Sequence, residues 1–179
     1  MILDLQHIDP QRIAAIDSSG AELRYAEISQ LSKHITSLIP TRSLCFLLVE
    51  NNVGGIAWVM SMLDSRQLVP LILNVKTEDT LYQQLLNTYQ PTYICAPNHF
   101  VVQGEVVDCL YEYTLTKVSN STPALHSELS HLLPTSGSTG SPKLVRHKYN
   151  NIEAAGLNIS TFFELKESDR PLMVLPLYY

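Results

Sequence analysis

The sequence lacks any apolar run long enough to cross a membrane. The longest run, residues 54–63, has ten residues, whereas a membrane-spanning helix needs about 20. The first residues also lack the basic segment and the extended apolar stretch of a secretory signal peptide. Because 45% of the 179 residues are hydrophobic, the chain can bury a core of its own. We therefore expect a soluble, cytoplasmic protein built as one domain.

Patterns for disulfides and for metal ligands are absent as well. The three cysteines, Cys45, Cys95 and Cys109, are odd in number and widely spaced, which fits neither a disulfide framework nor a zinc site. We expect them to be thiols in the core. The six histidines show no metal-ligand spacing among themselves or with the cysteines, so we predict no metal site made of side chains.

The sequence has fewer basic than acidic residues. It contains 12 Lys and Arg residues and 17 Asp and Glu residues, so its net charge is −5. This balance disfavours general binding to nucleic acid, which depends on neutralising phosphates. Lys143, Arg146 and Lys148 are nonetheless close together in sequence. On a strand, Arg146 and Lys148 would face away from Lys143. Phosphate contact and a solvated surface patch therefore both stay open for Arg146 and Lys148.

One polar segment, residues 135–143, has the composition of a phosphate-binding loop. It reads Thr-Ser-Gly-Ser-Thr-Gly-Ser-Pro-Lys. Its hydroxyl groups are hydrogen-bond donors, and Gly137 and Gly140 can adopt positive φ, so that successive backbone N–H groups point inward. Lys143 adds a positive charge on a flexible stem, and Pro142 stiffens the chain before it. The segment is therefore predicted to hold an anion.

Two other interpretations of this segment are a flexible linker and a Walker loop. Ser/Gly-rich segments are commonly flexible linkers, but the apolar residues at 129–133 and at 144–145 flank this one, which predicts a strand, a loop and a second strand. A Walker loop requires a second glycine before the lysine and Ser or Thr after it. Pro142 and Leu144 occupy those positions, which excludes the Walker loop.

The segment closely resembles the signature loop of the adenylate-forming enzymes, which include acyl- and aryl-coenzyme A ligases, luciferases and the adenylation domains of peptide synthetases. The family pattern is Thr-Ser-Gly-Ser/Thr-Thr-Gly-x-Pro-Lys, and residues 135–143 agree at all eight specified positions. Weaker matches to other segments of the family lie at residues 23–28, 63–71 and 169–179, and they occur in the same order as in the family. Two positions depart from the family, because Arg66 replaces a glycine and Tyr179 replaces a common histidine.

The resemblance implies an N-terminal fragment, residues 1–179, of an AMP-binding domain in an ATP-dependent ligase that activates a carboxylic acid. It implies ATP and Mg²⁺ as ligands, with coenzyme A or a phosphopantetheine thiol, which can belong to a carrier protein, as the acyl acceptor. Lys143 would be catalytic and Tyr179 would line the acyl substrate pocket, while Thr139 is a candidate Mg²⁺ ligand through its hydroxyl. The implied nucleotide-binding residues are Thr135, Ser136, Gly137, Ser138, Thr139, Gly140 and Lys143.

The end of the chain favours a fragment, since the apolar, strand-like run 172–179 stops without a polar cap or turn. We therefore expect truncation there and a piece that is inactive alone. The alternative from a different class is a non-catalytic α/β phosphate-binding or scaffold module, for which the departures at Arg66 and Tyr179 leave room. The acid itself and the oligomeric state do not follow from these residues.

Apolar periodicity predicts an α/β fold with a largely parallel sheet flanked by helices. A helical stripe spans 28–39, and further helices are predicted over 53–63 and 77–89. Buried strands are predicted over 43–49, 67–73 and 92–96, with another strand over 111–118. Asn150 or Asn151 is expected to cap a last helix. Its apolar stripe is predicted to lie in the core and consists of Ile152, Ala155, Ile159, Phe162 and Phe163.

Overall fold

The computed structural model describes residues 5–135 and 143–179. Within these ranges the chain forms four α-helices and nine strands, and a short 3₁₀ helix, Leu5–His7, precedes them. Helices and strands alternate through much of the chain, as expected for an α/β protein. The helices are α1 (Tyr25–Leu38), α2 (Val53–Ser65), α3 (Asp79–Tyr89) and α4 (Tyr149–Phe162).

The strands belong to two sheets. They are β1 (Ile13–Ile16), β2 (Glu22–Arg24), β3 (Ser43–Val49), β4 (Leu68–Asn74), β5 (Tyr93–Pro97), β6 (Glu105–Leu110), β7 (Tyr113–Lys117), β8 (Leu129–Pro134) and β9 (Leu144–Lys148). Strands β1 and β2 form a small antiparallel hairpin. The other seven form one sheet in the order β6-β7-β5-β3-β4-β8-β9.

The seven-stranded sheet is parallel at its centre and antiparallel at both ends. Strands β5, β3, β4 and β8 run parallel to one another. Strand β7 pairs with β5 and with β6 in antiparallel orientation, and β9 pairs with β8 in the same way. The prediction of a largely parallel sheet is therefore confirmed for the four central strands. Parallel central strands are covered on both faces, and all seven residues of β3 are accordingly buried.

Helices cover the two faces of the sheet unequally. Helices α1 and α2 pack on one face, where Ile35, Trp58 and Met62 are fully buried against β3 and β5. Helix α3 packs on the opposite face through Leu85, which joins a cluster with Phe46. The connection after β3 thus leads to one face and the connection after β4 leads to the other, which opens a crevice at the carboxyl ends of these strands.

Side chains fix the starts of the first two helices. At α1 the backbone N–H of Arg24 donates to Glu27 Oε2 at 2.7 Å, half of a capping box. At α2 the Asn52 side chain accepts from the Gly55 N–H at 2.8 Å. The Asp17 carboxylate accepts the Val53 N–H at 3.1 Å. These bonds satisfy N–H groups that have no partner inside the helix.

Most elements predicted from the sequence lie where they were expected. The strands over 43–49, 67–73, 92–96 and 111–118, and the helices over 53–63 and 77–89, are confirmed with ends that differ by at most two residues. The helical stripe over 28–39 is α1 with its C-cap Ile39. Strand β6 was not predicted, because it lies at the sheet edge and its residues are partly or fully exposed.

The prediction for the start of α4 is wrong, since Lys148 rather than Asn150 or Asn151 is its N-cap residue. Strand β9 ends at Lys148 and the helix begins at the next residue, Tyr149. The Tyr149 ring is buried and its N–H donates to the Glu128 carbonyl at 3.2 Å. This anchor leaves no turn in which an asparagine could cap the helix.

The prediction that the apolar stripe of α4 lies in the core is also wrong. Phe162 is 80% exposed and Phe163 is 65% exposed. Ile159 is likewise exposed, and Phe162 and Phe163 contact each other edge to face. Among the described elements α4 packs chiefly on β9, so its outer side has no covering layer there. Apolar spacing identified the helix correctly but could not show whether a partner covers it.

Two further predictions need correction. Residues 172–179 form no strand, since the segment lies across α2 and is held by the Leu177 N–H, which donates to Asn51 Oδ1 at 3.0 Å. Cys109 is exposed, whereas Cys45 and Cys95 are buried as expected. Burial raises the pKa of the Cys45 and Cys95 thiols.

No helix in the described part of the chain has the length and apolar character to span a membrane.

Candidate phosphate-binding site

The predicted loop is carried by the antiparallel hairpin of β8 and β9. Leu133 lies opposite Val145 and Pro134 opposite Leu144, as the apolar flanks of the loop predicted. Just beyond the last pair, the Thr135 N–H donates to the Lys143 carbonyl at 3.0 Å. The Thr135 hydroxyl donates to the same oxygen at 3.2 Å. Two hydrogen bonds therefore close the base of the loop, which we call the neck (Thr135 and Lys143).

The structure locates two of the predicted nucleotide-binding residues. Thr135 and Lys143 lie directly opposite each other at the neck, and both are exposed. Because the Lys143 carbonyl is hydrogen-bonded, its backbone is fixed while its side chain is free to reach solvent. The other predicted nucleotide-binding residues lie outside the described ranges and are Ser136, Gly137, Ser138, Thr139 and Gly140.

The neck lies at the carboxyl edge of the parallel strands. Strands β3, β4, β5 and β8 run parallel. Polar residues lie at their carboxyl ends, since Asn74 is the last residue of β4 and Glu50, Asn98 and Thr135 directly follow β3, β5 and β8. Ligands of open α/β sheets bind at this edge, where neighbouring connections leave towards opposite faces. Glu50, Asn74 and Asn98 were not predicted from the sequence, although each is a polar residue at the end of an apolar, strand-like run.

Glu50 places a carboxylate at the carboxyl end of β3. His99 Nε2 lies 3.6 Å from Glu50 Oε1, and the Asn52 amide donates to Glu50 Oε2 at 3.3 Å. The backbone N–H of Glu50 donates to the Tyr113 hydroxyl at 3.0 Å. These contacts hold the Glu50 carboxylate towards β5, on the side of β3 that is opposite to β4 and β8. The edge near the neck is thereby left without this carboxylate.

Below the neck, two imidazole rings stack across the hairpin. The centroids of His131 and His147 are 4.4 Å apart with the rings almost parallel, and the two residues are register partners. The Ser130 hydroxyl donates to the His147 carbonyl at 2.9 Å. Desolvation by burial, with a smaller contribution from His147, lowers the pKa of His131 to about 4. At neutral pH His131 therefore carries no charge.

Arg146 and Lys148 lie on β9 and are both exposed. Arg146 is the register partner of Leu132, and Lys148 that of Leu129. Neither forms an ion pair with a carboxylate in the described ranges, so the interpretation as a solvated surface patch is the simpler one for both.

Tyr179 is 82% exposed, and its N–H donates to the Pro176 carbonyl at 3.1 Å. The Leu177 contact with Asn51 brings this segment to the carboxyl end of β3. A role for Tyr179 in lining a substrate pocket stays a prediction. No cluster of three or more His, Cys, Asp or Glu side chains suited to a metal ion occurs in the part of the chain that the structure describes.

The strand order, the helices on both faces and the hairpin at the sheet edge define an α/β fold, which the chain shares with part of several solved structures. No protein-family model matches the sequence, and no curated protein matches it. The fold is therefore established by solved structures. At identities near 20% these show a shared fold.

Three solved structures illustrate the match. O-succinylbenzoate-CoA synthetase (MenE) from Bacillus subtilis, in complex with the acyl-adenylate intermediate OSB-AMP, has a TM-score of 0.76 at 21% identity over 99% of this chain and 49% of that one. The same enzyme with ATP and magnesium ion gives 0.73 at 18% over 99% and 51%. Apo MatB from Rhodopseudomonas palustris gives 0.72 at 15% over 99% and 40%. The chain thus spans about half the length, or less, of the proteins it matches.

Proposed function

We propose that residues 1–179 form the N-terminal part of the AMP-binding domain of an ATP-dependent ligase that activates a carboxylic acid. The observation that carries this proposal is the neck, which closes a loop of hydroxyl, glycine and lysine residues at the carboxyl edge of the sheet. The loop has the donors that a polyphosphate requires. The fold shared with MenE and MatB supports the assignment.

In the proposed reaction the substrate carboxylate attacks the α-phosphorus of ATP, the bond to the bridging oxygen breaks, and an acyl-adenylate and pyrophosphate result. Charge builds on the departing pyrophosphate. The hydroxyls of Ser136, Ser138 and Thr139, the loop N–H groups and the Lys143 ammonium would stabilise that charge by fixed donors. Lys143 is suited to this role because its backbone is held at the neck while its side chain is exposed.

The donor set fits phosphate better than it fits a metal ion. Hydroxyls and N–H groups dominate the loop, and the described residues offer no carboxylate cluster for a cation. Mg²⁺ would therefore be held mainly by the phosphates themselves, with the Thr139 hydroxyl as the protein ligand. When bound, the ion would neutralise phosphate charge during the displacement.

The second step would pass the acyl group to a thiol of coenzyme A or of carrier-bound phosphopantetheine, and Tyr179 would line the acyl pocket. A cytoplasmic location is part of the proposal, because the three cysteines are free thiols and such thiols persist in a reducing compartment. Since the chain spans about half of the matched proteins, we expect it to show no ATP–pyrophosphate exchange by itself with any of a panel of acids.

Anion binding tests the proposal without requiring turnover. Calorimetric titration of inorganic tripolyphosphate into the wild-type chain should give saturable binding, and Lys143→Ala should weaken it by about tenfold or more. Lys33→Ala is the matched control, because Lys33 is an exposed lysine on α1, and should leave the affinity unchanged. Equal loss in both variants, or no binding to the wild type, would contradict the proposed role of the loop.

A further inference from the structure

The turn after β4 is the nearest neighbour of the neck along the sheet edge. Strands β4 and β8 are adjacent and parallel, and Leu71 is the register partner of Leu132. Three residues further along each strand, this register places Asn74 level with Thr135. Adjacent strands are about 4.8 Å apart. Residues 74–77 therefore leave the sheet beside the point where the phosphate-binding loop begins.

Hydrogen bonds fix the shape of this turn. The Asn74 side chain accepts the Lys76 N–H at 2.8 Å, and the Asn74 carbonyl accepts the N–H and the hydroxyl of Thr77 at 2.9 and 2.7 Å. The Val75 N–H donates to the Val49 carbonyl at 3.3 Å, which ties the turn to β3 as well. The backbone of Lys76 is consequently held at the carboxyl edge, between the ends of β3 and β8.

Within the described residues, the Lys76 ammonium group contacts no carboxylate and no hydrogen-bond acceptor at this edge. It is exposed, and within residues 5–135 and 143–179 it forms no ion pair or side-chain hydrogen bond. The nearest carboxylates in sequence are Glu78 and Asp79, which precede and begin α3 and are suited to its positive N-terminal end. Glu50 is engaged by His99 on the far side of β3.

We propose that Lys76 is a second cationic ligand for the polyphosphate, acting from the turn after β4 while Lys143 acts from the residue before β9. This inference rests on the proposed function, because it assumes that the anion lies at the neck. A polyphosphate carries several negative charges, and a flexible lysine reaches one as a point charge without strict geometry. Strands β4 and β9 flank β8 on its two sides, so the two lysines would contact the anion from two sides.

The test compares tripolyphosphate affinity by calorimetry in the wild type, Lys76→Gln and Lys76→Arg, with Lys33→Gln as the control at an exposed position on α1. Lys76→Gln should weaken binding about tenfold and should also reduce the dependence of affinity on salt concentration, because one charge contact is lost. Lys76→Arg should restore most of the affinity. Thermal midpoints should stay unchanged, since the side chain is exposed.

The outcomes separate this inference from the proposed function. If Lys143→Ala weakens binding while Lys76→Gln matches the wild type in both affinity and salt dependence, the role of Lys76 is refuted and the loop assignment stands. If the wild type binds no tripolyphosphate, both fail together. If Lys76→Gln and Lys33→Gln lose affinity equally, the effect comes from net charge and the inference is overturned.

Discussion

The guanidinium carbon of Arg66 lies 4.3 Å from the centroid of the Tyr149 ring. Arg66 ends α2 in the left-handed conformation with φ 58, at the position where the resemblance to adenylate-forming enzymes expects glycine. Glycine adopts this conformation without steric cost, whereas other residues lose about 1 kcal/mol or more. Contact between a cation and an aromatic face offsets part of that cost. The pair also joins α2 to the residue at which α4 begins.

Replacing Arg66 should separate the two effects. Arg66→Ala keeps the left-handed strain and loses the ring contact, so we expect a loss of about 1 kcal/mol in the free energy of unfolding. Arg66→Gly loses the contact but also relieves the strain, and should stay within about 0.5 kcal/mol of the wild type. Urea unfolding followed by circular dichroism measures both. Equal destabilisation of the two variants would show that the conformation at residue 66 carries no strain.

Gly54 is required by close packing at the start of α2. A Cβ atom at this position would lie 2.3 Å from the Tyr111 carbonyl oxygen and 2.9 Å from the Tyr113 ring. Gly54→Ala should therefore lower the free energy of unfolding by about 2–4 kcal/mol.

Gly156 provides the matched control for Gly54, because it lies in α4 with nothing within 4 Å of its added Cβ. Gly156→Ala should raise stability by about 1 kcal/mol through helix propensity. Chemical unfolding of both variants measures the difference. If Gly54→Ala behaved like Gly156→Ala, the close approach of the 110–113 turn to α2 would be wrong.

A single substitution in the turn between β6 and β7 should stabilise the protein. Tyr111 and Glu112 both have positive φ, 54 and 62, a pattern that favours Asn-Gly in two-residue hairpins. Glu112→Gly should raise the thermal midpoint by several degrees, equivalent to about 1 kcal/mol. The Glu112 backbone carbonyl, which accepts from the Asn98 N–H at 2.8 Å, is retained. A lower midpoint would mean that the Glu112 side chain stabilises the turn in some other way.

Stability should fall as the pH is lowered from 7 to 5, because of His131. Its pKa is lowered to about 4 by burial, whereas the unfolded chain takes up this proton near 6.5. Between these pH values the unfolded state therefore binds more protons than the folded state. The free energy of unfolding should be lower at pH 5 than at pH 7 by about 2 kcal/mol. Asp17, whose pKa is lowered from 3.8 chiefly by its bond with Ser19, affects stability only at lower pH.

His131→Gln should flatten that pH dependence, while the exposed His126→Gln should retain it. Thermal unfolding at pH 5, 6 and 7 distinguishes the two variants. A wild-type midpoint that does not change over this range would contradict the half-buried, neutral imidazole beside His147.

Elements with a local apolar pattern that lies in the core could be predicted from the sequence. The apolar run of β3 and the stripe of α1 are local patterns, and both lie in the core as predicted. The hairpin that carries the loop was also predictable, because the apolar residues of β8 and β9 flank a polar segment. The neck between Thr135 and Lys143 follows from that hairpin.

Features that depend on contacts between distant parts of the chain could not be predicted from the sequence. The exposure of Phe162 is set by the absence of a covering layer on α4 among the described elements, which periodicity does not encode. The antiparallel pairing of β7 with β5 depends on how the chain returns to the sheet. The proximity of Lys76 to the neck required the strand order, since the two positions are far apart in sequence.

The most direct test of the central claim is to map the anion on the protein. Nuclear magnetic resonance spectra of the ¹⁵N-labelled chain, titrated with tripolyphosphate, should show saturable shifts concentrated in the amides of residues 135–143, with smaller shifts at 74–77. The amides of α1 should not move. Saturable shifts confined to another surface, with those of residues 135–143 unchanged, would contradict the account.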